Sequence, residues 1–354
     1  MSRFRPERAN SIGIILHYEC TYRCAHCLYA CRPGLNETIR AEDLDLLVDA
    51  IHRACPTAYL HIGGGEPFAN MDRLIAVLEQ IRRRGLNLEY AETNGFWVTR
   101  GDARERLRMV QRAGCPCLLL SISPFHNAFL SCRDNVRAYE MIVEVFGPEG
   151  IFPWHPAYYP FLERVDPDRP VPFEEYARHF SREEMAGQLT RIIHLHPAGR
   201  ASLSFGLFLG RRPAGSYDRK QCSQELSSPT HAHVDPHGHY LTGFCTGVQI
   251  GRQEAFDLER LYREGILLSV YPLLELLVQG TVGDLRCFAE GLGFRPDQGG
   301  YVSACHLCGE IRTWLYHHFP RERRLTELAP GFFYEEMGRL FALSKDKSAS
   351  TCGS

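Results

Sequence analysis

Three cysteines, Cys20, Cys24 and Cys27, share the string Cys-Thr-Tyr-Arg-Cys-Ala-His-Cys directly after the first apolar run of the chain. Cubane iron-sulfur clusters take cysteine thiolates and normally need four of them. A compact loop with three leaves one iron without a protein ligand. Such a vacancy is where a metal centre meets its substrate, as a catalytic zinc keeps an open position and a structural zinc does not. Cysteines scattered at random would produce CxxxCxxC on the order of 0.02 times in a chain of this composition. A zinc site would draw on the same thiolates and want a fourth ligand, for which His17, His26 and Cys31 stand nearby in sequence. Cys31 otherwise reads as a bystander thiol.

A second group, Cys222, Cys245, Cys305 and Cys308, follows much later, with Asp235-Pro236-His237-Gly238 ahead of Cys245. Four cysteines hold either an iron-sulfur cluster or a structural zinc, and spacing does not separate the two. Cys287 is an alternative ligand, whereas Cys55, Cys115, Cys117, Cys132 and Cys352 have no partner pattern. Between the groups lie Gly63-Gly64-Gly65-Glu66-Pro67, whose glycines let backbone approach a ligand and whose carboxylate can accept from an ammonium group. Glu92-Thr93-Asn94-Gly95, Ser121, Ser123 and His126 follow, the serines suited equally to capping. Arg200 offers a two-pronged cation for an anion or a surface ion pair.

These residues need elements to hold them. Short β-rich runs alternate with amphipathic stretches from Ile12 to about Ala201, the pattern of βα units around a parallel sheet. Strands are expected at Ile12 to His17, Tyr59 to Ile62, Leu88 to Glu92, Cys117 to Ser123, Ile151 to Tyr158 and Ile192 to His196. Helices are expected at Ala41 to Ala54, Met71 to Arg84, Asp102 to Ala113, Arg133 to Phe146 and Phe173 to Leu189. Most of the chemistry-bearing segments then fall at the carboxyl ends of strands, where parallel sheets bind ligands. A Gly-, Pro- and Arg-rich break at Leu209 to Tyr217 marks the expected boundary. Beyond it come a hairpin over Val234 to Phe244 and helices near Phe256 to Arg263, Val270 to Val278, Glu310 to Phe319 and Phe333 to Leu343. The tail from Ser344 is small and polar, so disorder is expected there.

The whole composition is that of a globular protein, 44% hydrophobic and 23% charged with a formal net charge of -2, which favours neither nucleic acid nor membrane. The basic runs Arg82 to Arg84, Arg211-Arg212 and Arg321 to Arg324 are short and read as solvated helix ends or loops. The start, Met1 to Ser11, has no apolar signal core, so a cytoplasmic location is expected. Fourteen cysteines in a reducing compartment point to metal, redox or catalytic roles rather than disulfides.

With these motifs in order, the chain resembles the radical S-adenosylmethionine (SAM) superfamily, CxxxCxxC with His26 before its last cysteine being that family's signature. The resemblance implies a partial (β/α)6 TIM-like barrel, residues 1–209. Cys20, Cys24 and Cys27 would bind a [4Fe-4S] cluster whose fourth iron takes the amino and carboxylate groups of SAM. Reduction then yields methionine and a 5′-deoxyadenosyl radical that abstracts a substrate hydrogen atom, chemistry that side chains alone do not perform. Gly64, Gly65, Glu66 and Pro67 resemble the family's GGE motif, which meets the SAM amino group. Asn94 lies in a segment similar to its TNG. Ser121 and Ser123 fall where polar residues face the SAM ribose or carboxylate. Arg200 sits in a Gly-Arg-Ala segment of members with an auxiliary cluster.

The second cysteine group resembles the short auxiliary module called twitch more than the seven-cysteine SPASM, since only six cysteines follow from Cys222 onward. A smaller C-terminal cysteine-rich domain, residues 210–343, with a second [4Fe-4S] cluster and a disordered tail, residues 344–354, is therefore expected. An electron donor such as flavodoxin or ferredoxin is implied. The first strand begins near residue 12, leaving no room for an N-terminal peptide-recognition domain, so the expected substrate is a small molecule or a peptide delivered by a separate protein. His155, Tyr158, Tyr159 and Glu163 are candidates for the barrel mouth or for packing. Two other readings stay open: an activase installing a glycyl radical, which would usually carry a ferredoxin-like cysteine spacing not seen here, and a non-catalytic zinc or iron-sulfur electron-transfer protein.

Overall fold

The computed structural model describes residues 2–192, 195–243, 245–250, 255–320 and 325–351, with side chains as far as 345. A short strand, β1 (Arg3–Phe4), is followed by β2 (Ser11–Ile15), α1 (Asp43–Ala54), β3 (Tyr59–Gly63), α2 (Met71–Arg83), β4 (Asn87–Thr93) and α3 (Ala103–Ala113). Next come β5 (Leu118–Ser121), α4 (Pro124–Asn127), α5 (Cys132–Phe146), β6 (Ile151–Trp154), β7 (His231–Val234), β8 (Tyr240–Thr242) and β9 (Ile266–Leu267), with further helices between and after. The main sheet runs β6-β5-β4-β3-β2-β7-β8. All of its neighbours are parallel except β7 and β8, which form the expected hairpin. This is an α/β architecture with a parallel sheet, of the partial TIM-like kind.

Central strands of a parallel sheet are covered on both faces and therefore read as continuous apolar runs. Ile12, Ile14 and Ile15 of β2 and Leu60 and Ile62 of β3 are all buried. The helices bury the stripes read from the sequence: Leu44, Leu47, Val48 and Ile51 in α1, and Leu74, Val77, Leu78 and Ile81 in α2. The Asn70 side chain starts α2 by accepting from the Arg73 amide at 3.2 Å.

Three expectations change. The sixth strand, placed at Ile192 to His196, is not one: Gly187–Ile192 is a π-helical turn continuing the helix Arg182–Ala186, Leu195 and His196 are irregular, and 193–194 lie outside the described residues. A short apolar, β-branched run does not by periodicity distinguish strand from helix. The further parallel strand is instead β7, paired with β2 on the opposite side of the sheet. The helix expected over Phe173 to Leu189 is interrupted, because Phe180 is extended and Ser181 opens a new helix with a capping box to Glu184. The polar tail continues the C-terminal helix Gly331–Thr351, with 352–354 outside the described residues, as are Phe244 and the basic run 321–324.

The β7–β8 hairpin comes from beyond the expected boundary yet extends the same sheet. Its turn is held by the buried Asp235 carboxylate, which accepts from the amides of His237 and His239, both at 2.9 Å, and from Gln249 Nε2 at 2.5 Å. One continuous buried cluster runs from Phe4 to Phe341.

Candidate functional site

The loop carrying Cys20, Cys24 and Cys27 has little regular structure of its own, so other elements must hold it. Its stem is pinned by backbone bonds from Tyr18 N to Glu37 O at 2.9 Å and from Cys20 N to Arg32 O at 3.2 Å. The glycine run at the end of β3 docks against it, with Gly65 N donating to His17 O at 2.8 Å and Glu66 N to Glu19 O at 2.9 Å. A Cβ at position 65 would lie 1.7 Å from Glu19 O, so only glycine permits that approach. Arg200 closes the loop from the far side. Its Nε donates to Cys24 O at 2.9 Å, one terminal nitrogen to Cys31 O at 2.5 Å and the other to Glu336 at 3.3 Å. Glu336, on the C-terminal helix, also accepts from Arg23 of the loop at 2.7 Å. Arg200 is 5% exposed and all three of its nitrogens are engaged, so it clamps the loop rather than presenting a free cation to an anion.

The thiols differ in environment. Burial, then the Glu66 charge, pushes Cys20 up to about 12, while Tyr22 N at 3.4 Å and Asn94 Nδ2 at 3.7 Å donate to its sulfur. Cys24 is raised further by burial. Cys27 is pulled below the ordinary thiol value, first by a hydrogen bond from Cys31. Cys31 lies beside the group, its thiol also 3.5 Å from Gly64 O.

Glu66 is buried and spends its acceptors inside the protein, on Asn94 N at 2.7 Å, Thr93 Oγ1 at 2.9 Å and Phe68 N at 3.1 Å. It ties the end of β3 to the end of β4 and thereby seats Asn94. Burial raises its carboxyl to about 7. Gly64, Gly65, Glu66, Asn94, Ser121, His26 and Arg200 all line a cavity of about 530 Å³ that the three cysteines also border. Pro67 and Ser123 do not: Pro67 starts a 3-10 turn, and Ser123 is wholly buried, capping α4 and bonding His126 Nδ1 at 2.8 Å. His26 stacks on Phe125 at 4.6 Å and on Trp154 at 6.1 Å, making an aromatic wall.

The far wall holds residues not singled out as sites from sequence. Glu92 reaches the cavity with its carboxyl raised to about 7 by burial alone. Tyr29, Tyr90, His231 and His233 line the cavity with it, as does His155, a candidate already named from the sequence, with a left-handed φ of 55°. Tyr158 is buried in the core, whereas Tyr159 and Glu163 do not line the cavity.

The second cysteine group is also gathered. Cys222 precedes the helix Ser223–Ser227, Cys245 follows β8, and Cys305 and Cys308 occupy the first turns of Ala304–His318, capped by Ser303. Burial first, then the charges of Cys308, Cys245 and Cys305, raises the Cys222 thiol. Two cations face the set: buried Arg312, held by Thr246 O at 2.6 Å and acting on Cys245 and Cys308, and Lys220, acting on Cys222 and Cys305. His196, on the cavity wall, places Nε2 3.3 Å from Cys305 Sγ. Cys287 is exposed and apart from this pattern.

Tetrahedral zinc with Zn–S of about 2.3 Å would draw its sulfurs to about 3.8 Å. Among the described residues, the only three ligand atoms of His, Cys, Asp or Glu within 4.8 Å of one another come from His61, His231 and His233.

Comparison with known families bears on the segment that carries the first of the cysteine groups. Residues 14–146 match the Radical SAM superfamily model. The match runs from β2 through α5 and includes the three cysteines, the glycine run and Asn94. A match to that family implies one [4Fe-4S] cluster and SAM. A search of curated proteins found no relative of the chain. Among solved structures, BtrN in complex with AdoMet and 2-DOIA is similar at 11% identity, with 78% of this chain and 90% of that chain covered and a TM-score of 0.41. Streptococcus suis SuiB bound to S-adenosylmethionine is similar at 12% identity, covering 79% and 74%, with a TM-score of 0.42. Native anSMEcpe with bound AdoMet and Cp18Cys peptide is similar at 11% identity, covering 87% and 97%, with a TM-score of 0.39. No helix among the described residues is long and apolar enough to cross a membrane.

Two outcomes follow for the first cysteine loop and the cavity beside it. Arg200→Ala leaves Glu336 without one cation and two loop carbonyls without donors, so it should lower stability by about 3–5 kcal/mol and reduce iron bound by the first loop. Denaturant unfolding and iron analysis read both, and unchanged iron content would remove the clamp role. Glu92 has a folded pKa of about 7, above its ordinary value of 4.5. Its protonated form favours the fold, so that contribution is complete below about pH 4.5 and is lost as pH rises through about 7. Glu92→Gln and the wild type should melt alike near pH 5, and the variant should be more stable by on the order of 2 kcal/mol near pH 8. Parallel melting curves across that range would contradict the assignment.

Proposed function

We propose that the chain is a radical SAM enzyme that abstracts a hydrogen atom from a peptide or small-molecule substrate, with a second [4Fe-4S] cluster on Cys222, Cys245, Cys305 and Cys308. The observation that carries this reading is the position of the cavity. It is bordered by Cys20, Cys24 and Cys27 on one side, and on another by His196, whose ring contacts Cys305.

When bound, SAM and the first cluster supply a 5′-deoxyadenosyl radical, chemistry outside the reach of side chains. The residues of the chain then have separable tasks. The Gly64-Gly65 edge offers backbone groups where no Cβ intervenes, with Asn94 held beside it by Glu66. His26 and Trp154, with Phe125 stacked behind His26, give the cavity an aromatic wall suited to keeping water from a reactive intermediate. His26 and His126 are held neutral by burial, so they add no charge there. Of the two carboxyls on the wall, Glu66 is engaged by Asn94, Thr93 and Phe68, and Glu92 suits a substrate ammonium or hydroxyl.

Four thiolates saturate a cubane, which favours electron transfer over substrate ligation at the second group. Arg312 and Lys220 offset the negative charge such a cluster carries. An oxidising or bond-forming outcome needs a place for the substrate's electron, and the His196–Cys305 contact offers the short route.

Anaerobic reconstitution tests the proposal. The wild type should bind about eight irons per chain and the Cys305→Ala, Cys308→Ala variant about four. Both should form 5′-deoxyadenosine with dithionite and SAM, while the variant should lose product. Bound zinc with no SAM cleavage would overturn the enzyme reading, and product at the wild-type rate in the variant would make the second cluster structural.

A further inference from the structure

Outside both cysteine groups, three histidines from two strands meet on one face of the sheet, and two of them, His231 and His233, line the cavity. His61 on β3 and His233 on β7 flank Gly13 on β2 in one row of the sheet, with His231 two residues before His233 on the same face. Position 13 must be glycine for these rings to meet there: its Cβ would lie 2.2 Å from His233 Cδ2 and 2.4 Å from His61 Nε2. His231 Nε2 and His233 Nε2 face each other at 3.1 Å, and the ligand atoms of all three lie within 4.8 Å of one another.

The opposite ring nitrogens are held from outside. His231 Nδ1 contacts Ser11 Oγ at 3.3 Å and His233 Nδ1 contacts Tyr29 OH at 2.9 Å. Metal-binding histidines commonly use the distal N–H in this way, which fixes the ring and directs a lone pair inward. His61 is 1% exposed, and its buried Nδ1 has no partner. It stacks on His231 at 4.7 Å and on Tyr90 at 5.1 Å, so its ring plane is set by packing. With the distal nitrogens protonated, the inward nitrogens of His231 and His233 are two lone pairs in contact, which a cation between them relieves.

We propose that His61, His231 and His233 bind one divalent transition-metal ion of the zinc class, separate from the iron-sulfur sites and with a remaining coordination position open to the cavity. Three neutral imidazoles with a vacancy are the donor set of catalytic zinc, with Zn–N of about 2.0–2.1 Å, and imidazole equally suits iron, nickel and copper. Burial holds all three rings neutral, the form that coordinates. Because His231 and His233 line the same cavity as Cys20 and Asn94, the open position faces whatever substrate lies there. The ion would hold an anionic or carbonyl group of that substrate as a Lewis acid. The site does not depend on SAM cleavage for its existence.

The test uses the full chain with its clusters reconstituted anaerobically, equilibrated with zinc and freed of excess by gel filtration. Elemental analysis should find a single zinc per chain beyond the iron, and zinc-edge X-ray absorption should show a first shell of nitrogen and oxygen without sulfur. His231→Asn should lose that zinc while keeping its iron and sulfide, which reports an intact fold. Absence of zinc from the wild type, a sulfur-containing shell, or full zinc retention in both His231→Asn and His61→Asn would each overturn the proposal. A shared N–H between His231 and His233 would then account for their 3.1 Å contact. The wild-type measurement stands even if a variant fails to fold.

Discussion

The structure depends on Arg200 reaching two backbone carbonyls of one loop. Between Cys20 and Cys31 the chain turns without helix or ladder to fix it, so its shape rests on outside donors. Arg200 bonds Cys24 O and Cys31 O, and its own amide donates to Cys27 O at 3.1 Å. Gly199, with a φ of +55°, brings the backbone against Leu28 O, where a Cβ would sit 2.4 Å away. A buried guanidinium needs an anion, and Glu336 on the C-terminal helix supplies it while also holding Arg23. Tyr18 packs on Phe332 of the same helix at 4.8 Å. The last helix is therefore a structural part of the first cysteine loop.

From that clamp the rest of the site follows in order. The loop fixes one wall of the cavity, and the glycine run seats β3 against it. Glu66 carries the position to β4 and Asn94. On the other side β7 pairs with β2, and Asp235 holds its turn, which puts His231 and His233 on the cavity wall. The second cysteine group hangs from the same hairpin and from Ala304–His318, with His196 between it and the cavity.

Much of this was legible because it is local. CxxxCxxC, Gly63 to Pro67 and Thr93-Asn94-Gly95 each lie within a few residues, at the ends of strands whose apolar runs are unambiguous. The grouping of Cys222, Cys245, Cys305 and Cys308 was legible from residue type. What was not legible is what depends on distant pairing. His61 and His231 are far apart in sequence, and only the parallel β2–β7 register brings them together around Gly13. Arg200 read as an anion partner because its neighbours, two carbonyls and a glutamate, carry no signature in sequence. Glu92 read as a strand end. Ser181 and Glu184 did carry a local capping signal, which the longer apolar pattern of Phe173 to Leu189 concealed.

The central claim is that Cys20, Cys24 and Cys27 hold a cubane with one iron open to the cavity. Mössbauer spectroscopy of the iron-57 reconstituted Cys305→Ala, Cys308→Ala protein, with and without SAM, tests it most directly. The account predicts that SAM sets one iron in four apart from the other three. Four irons left unchanged by saturating SAM would contradict it.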